Sequence, residues 1–230
     1  MKKKLLYTMV FAIAALGLAS CSGDDESEGK SRITYYAILE LNGEKNMTTQ
    51  LGSAFADPGC TATMGGEDVS DQIVTSGSVD TNKLGFYTLN YSVVNPDGFS
   101  ASASRQVAVV DKNNFASTYY GESQYGTRHF YNSPINITKL SDDTYLIDDI
   151  LGGFYCYGRY PGYDAYGYDF FCEAVLNLNA DNTISLVETG SWYFAQYPVT
   201  IVQGTYNPDN GEIELNLDFD GDPFYVKLTK

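Results

Sequence analysis

Histidine and tryptophan occur once each in these 230 residues, and cysteine only four times. A single histidine, His129, with no close cysteine pair supplies no zinc ligand set. Basic residues are scarce as well: 14 Lys and Arg face 29 Asp and Glu, for a net charge of −15. A field of that sign repels phosphate backbones, which excludes nucleic acid and disfavours anionic lipid and acidic polysaccharide. Reaction signatures are also missing. There is no G-x-S-x-G elbow, no H-E-x-x-H and no phosphate-cradling glycine loop. His129 follows Arg128 beside Phe130 and Tyr131 and reads as a structural histidine. Asp218, Asp220 and Asp222 alternate like oxygen ligands, but they match no calcium-loop spacing and flank Gly221 at a hairpin tip. Paired carboxylates need only two of the many acids, yet the C-terminal half is small for a glycosidase. The expectation is a protein that is not an enzyme and holds no metal and no cofactor.

Long apolar runs are confined to the N-terminus. Lys2, Lys3 and Lys4 precede an apolar run over residues 5–18, and Leu18-Ala19-Ser20-Cys21 resembles a bacterial lipobox. The run is short for a membrane span and has the layout of a secretory signal. Residues 1–20 are therefore expected to be a lipoprotein signal peptide, with Cys21 lipidated and anchoring the chain to a membrane. Loss of the leader removes three lysines and leaves 11 basic against 29 acidic residues, a net −18. Residues 21–32 then form a flexible tether, acidic from Asp24 to Glu28, which buries nothing. That run resembles the export signal of Bacteroidetes surface lipoproteins and implies an outer-membrane protein exposed on the cell surface. A plain solvated spacer is the alternative.

Beyond the tether no helical period emerges. Short alternating runs punctuated by Gly, Asn-Pro and Asp-Gly predict an all-β chain. Strands are expected at 33–41, 48–51, 60–64, 73–76, 85–94 and 99–110, a β-sandwich over residues 33–111. Tyr87, Leu89, Tyr91 and Val93 share a face there, and Asn95-Pro96-Asp97-Gly98 turns the chain into the next strand. In residues 113–230, Ile213, Leu215, Leu217 and Phe219 alternate with polar residues, and Asp220-Gly221 returns the chain through Phe224, Val226 and Leu228. Further strands at 135–140, 145–150, 173–178, 183–187 and 199–206 make a second antiparallel β domain, a small barrel or a sandwich.

Two resemblances add to this. Asp57-Pro58-Gly59-Cys60-Thr61-Ala62, with Gly85-Phe86-Tyr87 and Tyr91-Ser92-Val93 later, resembles the bacterial surface immunoglobulin-like domain. It implies a spacer or interaction module. Thr144-Tyr145-Leu146-Ile147-Asp148-Asp149, Gly152-Gly153-Phe154-Tyr155 and Gly204-Thr205-Tyr206-Asn207-Pro208 resemble the C-terminal domain of Bacteroidetes surface lipoproteins that carry the Ig-like module. Such proteins accompany starch-utilisation-type transporters, so the resemblance implies glycan handling and outer-membrane transporter components as partners.

The most unusual stretch is residues 154–171, with nine aromatics in eighteen positions. Its glycines and Pro161 are expected to keep it out of regular structure. Tyrosine offers a flat face to a sugar's C–H surface and a hydroxyl to its polar edge. Tyr155, Tyr157, Tyr160, Tyr163, Tyr166 and Tyr168, with Arg159 and Asp164 interleaved and Trp192 from a second aromatic patch, are the candidate ligand-binding residues. A self-packed loop capping one end of the barrel is the competing reading. Cys156 and Cys172 bracket the segment. A disulfide between them would close fifteen intervening residues, worth about 3 kcal/mol. Two reduced core thiols are the alternative, and Cys60 is expected to be a buried free thiol. The function these features suggest is non-catalytic binding of a neutral polysaccharide or oligosaccharide. The runner-up is a structural lipoprotein that contacts a transporter and touches no sugar.

Overall fold

The computed structural model describes residues 33–230. The expected signal peptide, Cys21 and the tether lie outside the described residues. From Ala37 to Lys230 the chain forms one compact unit. The strands are β1 (Ala37–Leu41), β2 (Asn46–Gln50), β3 (Cys60–Met64), β4 (Glu67–Asp68), β5 (Val74–Ser76), β6 (Gly85–Val94), β7 (Ser100–Val110) and β8 (Thr118–Tyr125). They continue as β9 (Arg128–Lys139), β10 (Thr144–Ile147), β11 (Ala174–Leu178), β12 (Ile184–Thr189), β13 (Val199–Asn207), β14 (Glu212–Phe219) and β15 (Asp222–Thr229).

The first seven strands build the sandwich: one sheet ordered β1-β3-β4 against another ordered β2-β7-β6-β5. The two sequence motifs of this domain meet at one buried point. Arg105 on β7 is 0% exposed, and its guanidinium pairs with Asp57 and donates to Tyr91 Oη at 3.1 Å. Its remaining donors reach the carbonyls of Asn42, Glu44 and Gly59. Tyr91 in turn donates to Asp57, whose carboxylate also accepts from Gly59 N–H at 3.1 Å. Burial raises the Asp57 pKa, but its hydrogen bonds to Tyr91, Gly59 and Arg105 prevail and hold it below the usual range. Burial pushes the Tyr91 hydroxyl up to about 12. The acid of the Asp-Pro-Gly motif is thus a structural clamp between the sheets. Cys60 is a half-buried free thiol packed nearby.

Strands β8–β15 form one antiparallel sheet ordered β12-β11-β10-β9-β8-β15-β14-β13. Its edges approach through a bridge between Thr183 and Thr205. This settles barrel against sandwich: the second domain is a nearly closed eight-stranded barrel. Inward residues fill it, with Ile135, Ile147, Leu176, Ile213, Leu215 and Val226 all fully buried. The alternation expected on β14 and β15 is the barrel's inside and outside. Their two-residue turn places Asp220 and Gly221 at φ 54° and 92°. Asp218 caps this hairpin by accepting from Gly221 N–H at 2.8 Å, and Asp222 accepts from Tyr125 Oη at 2.9 Å.

Two strands run beyond expectation. β8 was hidden by the polar run Gly121-Glu122-Ser123-Gln124, and β9 begins at Arg128 rather than at 135. β8 also joins the domains. Tyr119 points into the barrel core while Tyr120 packs with Ala108 and Val110 of the sandwich. The Tyr120 ring meets Phe86 edge-on at 5.3 Å, and its hydroxyl lies 3.2 and 3.3 Å from the carbonyls of Gln106 and Met47. Thr118 Oγ1 donates to the Val109 carbonyl. The C-terminal half of β7 is consequently buried on both faces, with Val107 to Val110 at zero exposure.

Candidate binding site

The aromatic segment leaves the barrel after β10 through two adjacent carboxylates with different tasks. Asp148 is bound to β9: its oxygens accept from Asn136 N–H at 3.0 Å and from Asn136 Nδ2 at 2.8 Å. Asp149 is fully buried and gathers the loop. Its Oδ1 accepts from Leu151 N–H at 3.0 Å and Cys172 N–H at 3.3 Å, and its Oδ2 from Gly153 N–H at 3.0 Å and the Cys156 thiol at 3.2 Å. A backbone bond from Ile150 N–H to Cys172 O closes the base. Burial pushes the Asp149 pKa up to about 7, with the charge of Asp148 adding to the shift and the donors opposing it.

The expected disulfide is not formed. Cys156 and Cys172 are free, buried thiols. The loop is closed by donors converging on one carboxylate instead, and Cys156 is one of them. Burial, together with the Asp149 charge, pushes both thiols well above their ordinary range.

The segment is irregular only in part. Phe154–Arg159 forms a single π-helical turn, entered through Gly153 at φ 82°, and Tyr163–Tyr166 forms a 3-10 turn. Tyr160 N–H reaches Tyr155 O at 2.8 Å, the wide spacing of a π-turn, a geometry frequent at functional sites. Gly153 is required here, since a Cβ would lie 2.2 Å from Ser133 Cβ. At Gly158 it would lie 2.4 Å from the Phe130 ring.

The wide turn sorts the rings into inner and outer sets. Phe154 plugs the barrel against Phe130 and Phe224, each at 5.1 Å. Tyr155 is half-buried between Phe194 at 5.0 Å and Trp192 at 5.8 Å, and burial pushes its hydroxyl up to about 12. Trp192 is only 6% exposed and belongs to the barrel core. Trp192 and Tyr155 are therefore removed from the candidate ligand contacts, because their faces are already covered.

The outer set remains together. Tyr160 stacks on Phe170 at 4.8 Å, and the Arg159 guanidinium lies 5.2 Å from its ring centre. Tyr157, Tyr163, Tyr166 and Tyr168 are exposed, Tyr166 to 79%. Tyr157, Tyr160, Asp164 and Tyr168 line a pocket of about 140 Å³ over Phe170. Tyr193 joins this surface, 5.5 Å from Tyr168 and tied to the loop by a bond from its N–H to Asp169 O at 2.7 Å. Tyr197 extends it beside Phe194, a contribution no local signal announced. The inner rings of the segment cap the barrel, and its outer rings form an exposed aromatic surface.

Comparison with known proteins agrees with the two-domain description. Residues 39–109 match the family model of the bacterial surface protein Ig-like domain, and residues 110–230 that of the BT2262-like C-terminal domain. No curated protein matches significantly. Among solved structures, the lipoprotein BT2262 from Bacteroides thetaiotaomicron is 26% identical with a TM-score of 0.53, covering 85% of this chain and 100% of its own. CBM51-2 in complex with GlcNAc and INT domains, from Clostridium perfringens ZmpB, is 12% identical with a TM-score of 0.30, covering 84% of this chain and 43% of its own. That likeness is too slight to bear on function. With its C-terminal model spanning more than half the sequence, the chain belongs to the BT2262-like C-terminal domain family.

Proposed function

We propose that this chain is a non-catalytic lipoprotein of the outer-membrane surface that binds a neutral glycan through the barrel's aromatic loop, as an accessory of a nutrient-uptake system. The observation that carries the reading is the exposed set Tyr157, Tyr163, Tyr166, Tyr168 and Tyr193 around the small pocket. Exposed tyrosine faces on a soluble surface are costly to leave in water and suit the C–H faces of pyranose rings. The loop is tied at its base by Asp149, which lowers the ordering cost of binding. The net charge of −15 favours neutral over acidic polymers. The lipoprotein BT2262 supports the anchoring.

The test is calorimetric titration of the chain against a panel of neutral and acidic polysaccharides. Saturable binding of a neutral glycan, lost in Tyr163→Ala/Tyr166→Ala, is the expected result. Absence of binding across the panel refutes the reading. The same aromatic surface would then serve a protein partner, with transporter components of the outer membrane the first to test by co-purification.

A further inference from the structure

A second cavity, of about 570 Å³, lies in the angle between the two domains, well within the size range of small-molecule sites. The sandwich supplies one wall, including Lys45, Thr88 and Gln106, and the barrel supplies the other, including Tyr131, Asn132 and Tyr157. No Asp or Glu lines it, although the chain carries 29 of them. Its polar groups are mostly amides and hydroxyls, which both donate and accept, beside the exposed faces of Tyr131 and Tyr157. Two cations also line it: Arg105, whose guanidinium is committed to Asp57, and Lys45, a further donor to a ligand's hydroxyl groups. Uncharged polyols suit such a set of donors and acceptors.

The barrel wall is built to present those groups. Gly121 opposes Ser133 and Ser123 opposes Phe130, so Tyr131 and Asn132 together face Glu122 in a β-bulge. Asn132 takes a left-handed backbone there, φ 59°. Bulges redirect side chains, and this one turns consecutive residues of β9 toward the cleft. Tyr131 is exposed but not loose. Its hydroxyl lies 2.7 Å from His129 Nδ1, and His129 Nε2 lies 2.7 Å from Glu122 Oε1. The histidine that the sequence leaves without a chemical task orients an aromatic ring at the cleft. Tyr120 holds the opposite wall at its base through the Gln106 and Met47 carbonyls.

Tyr157 lines both this cleft and the smaller loop pocket. We infer that the two cavities are one extended site: a neutral oligosaccharide seated in the loop pocket continues past Tyr157 into the interdomain cleft, so the Ig-like domain supplies half of the binding surface instead of serving as a stalk. This rests on the glycan-binding reading above and goes further by assigning chain-length selectivity to the cleft.

The experiment titrates the chain with malto-, xylo- and mannooligosaccharides, each as disaccharide and octasaccharide. It compares wild type, Lys45→Ala/Gln106→Ala, Tyr131→Ala and Tyr163→Ala/Tyr166→Ala. All substituted side chains reach the surface, and unchanged urea midpoints confirm that each variant folds. In the series that binds, the octasaccharide is expected to bind on the order of tenfold tighter than the disaccharide, the equivalent of one or two added hydrogen bonds. The cleft variants should lose that gain while keeping the disaccharide affinity, whereas the loop variant weakens both. If glycans bind but the cleft variants match wild type at both lengths, the extended site is refuted and the loop site stands. If no sugar binds, both readings fall together.

Discussion

Asp149 offers the sharpest test of how the aromatic loop is held. Its carboxylate is fully buried and is pushed up to about 7 from an ordinary 3.8. Between those values the native state carries a proton that the unfolded chain has lost, so stability falls as pH rises from about 4 to 7. At about 1.36 kcal/mol per pH unit, the interval corresponds to roughly 4 kcal/mol. Asp149→Asn cannot titrate. Its amide oxygen can still accept from Leu151 and Cys172 N–H, but its NH₂ would face Gly153 N–H and leave that donor unmet, a pH-independent cost of about 1–3 kcal/mol. The wild type should therefore be the more stable protein at pH 4 and the variant at pH 8, with the curves crossing between about pH 4.5 and 6. Urea denaturation at intervals of pH, with thiols kept reduced, measures the difference directly, and carboxylates not coupled to Asp149 cancel from it. A difference that does not change with pH, or that changes in the opposite direction, refutes the assignment.

Three further outcomes follow from packing. Tyr120→Ala should cost about 3–5 kcal/mol by emptying the interdomain seam, and Tyr120→Phe only about 1 kcal/mol; urea denaturation separates them, and limited proteolysis should cut residues 111–117 faster in the alanine variant. Gly162→Ala and Gly153→Ala both place a side chain at a left-handed φ, but only the second meets a neighbour, at 2.2 Å. Thermal unfolding should show a cost of about 1–2 kcal/mol for Gly162→Ala and a clearly larger one for Gly153→Ala. Arg105→Met strips Asp57 of its cationic partner and takes the guanidinium donors from the carbonyls of Asn42 and Glu44; a loss of about 3–5 kcal/mol is expected in equilibrium unfolding.

What could be read from the sequence depended on whether a strand has a wet face. β14 shows Ile213, Leu215, Leu217 and Phe219 inside and polar residues outside, and its period declares it. β6 is legible for the same reason, with Leu89, Tyr91 and Val93 inward. β8 has no such contrast. Tyr119 enters one core and Tyr120 the other, while Thr118 and Ser123 are buried polar residues, so alternation carries no signal. The aromatic segment was legible as a concentration of rings, but the division into plug and surface was not. Tyr155 and Tyr157 are the same residue two positions apart, and only the π-turn decides that one faces Trp192 and the other solvent. The cleft could not be read at all, because Gln106 and Tyr131 meet only once the domain angle is set.

That angle gives the Ig-like domain its place in the proposed function. A spacer needs only a flexible joint, yet this joint buries Tyr120 against Ala108, Val110 and Phe86 and adds hydrogen bonds to the Met47, Gln106 and Val109 carbonyls. Holding a domain angle this firmly costs conformational freedom that a stalk would keep. The freedom lost is useful if the angle itself shapes a site, as it does where the acid-free walls of β7 and β9 face each other. The distribution of charge argues the same way. Although the chain carries 29 acids, none lines the cavity shared by the two domains, whose amides and hydroxyls offer a ligand's hydroxyl groups donors as well as acceptors.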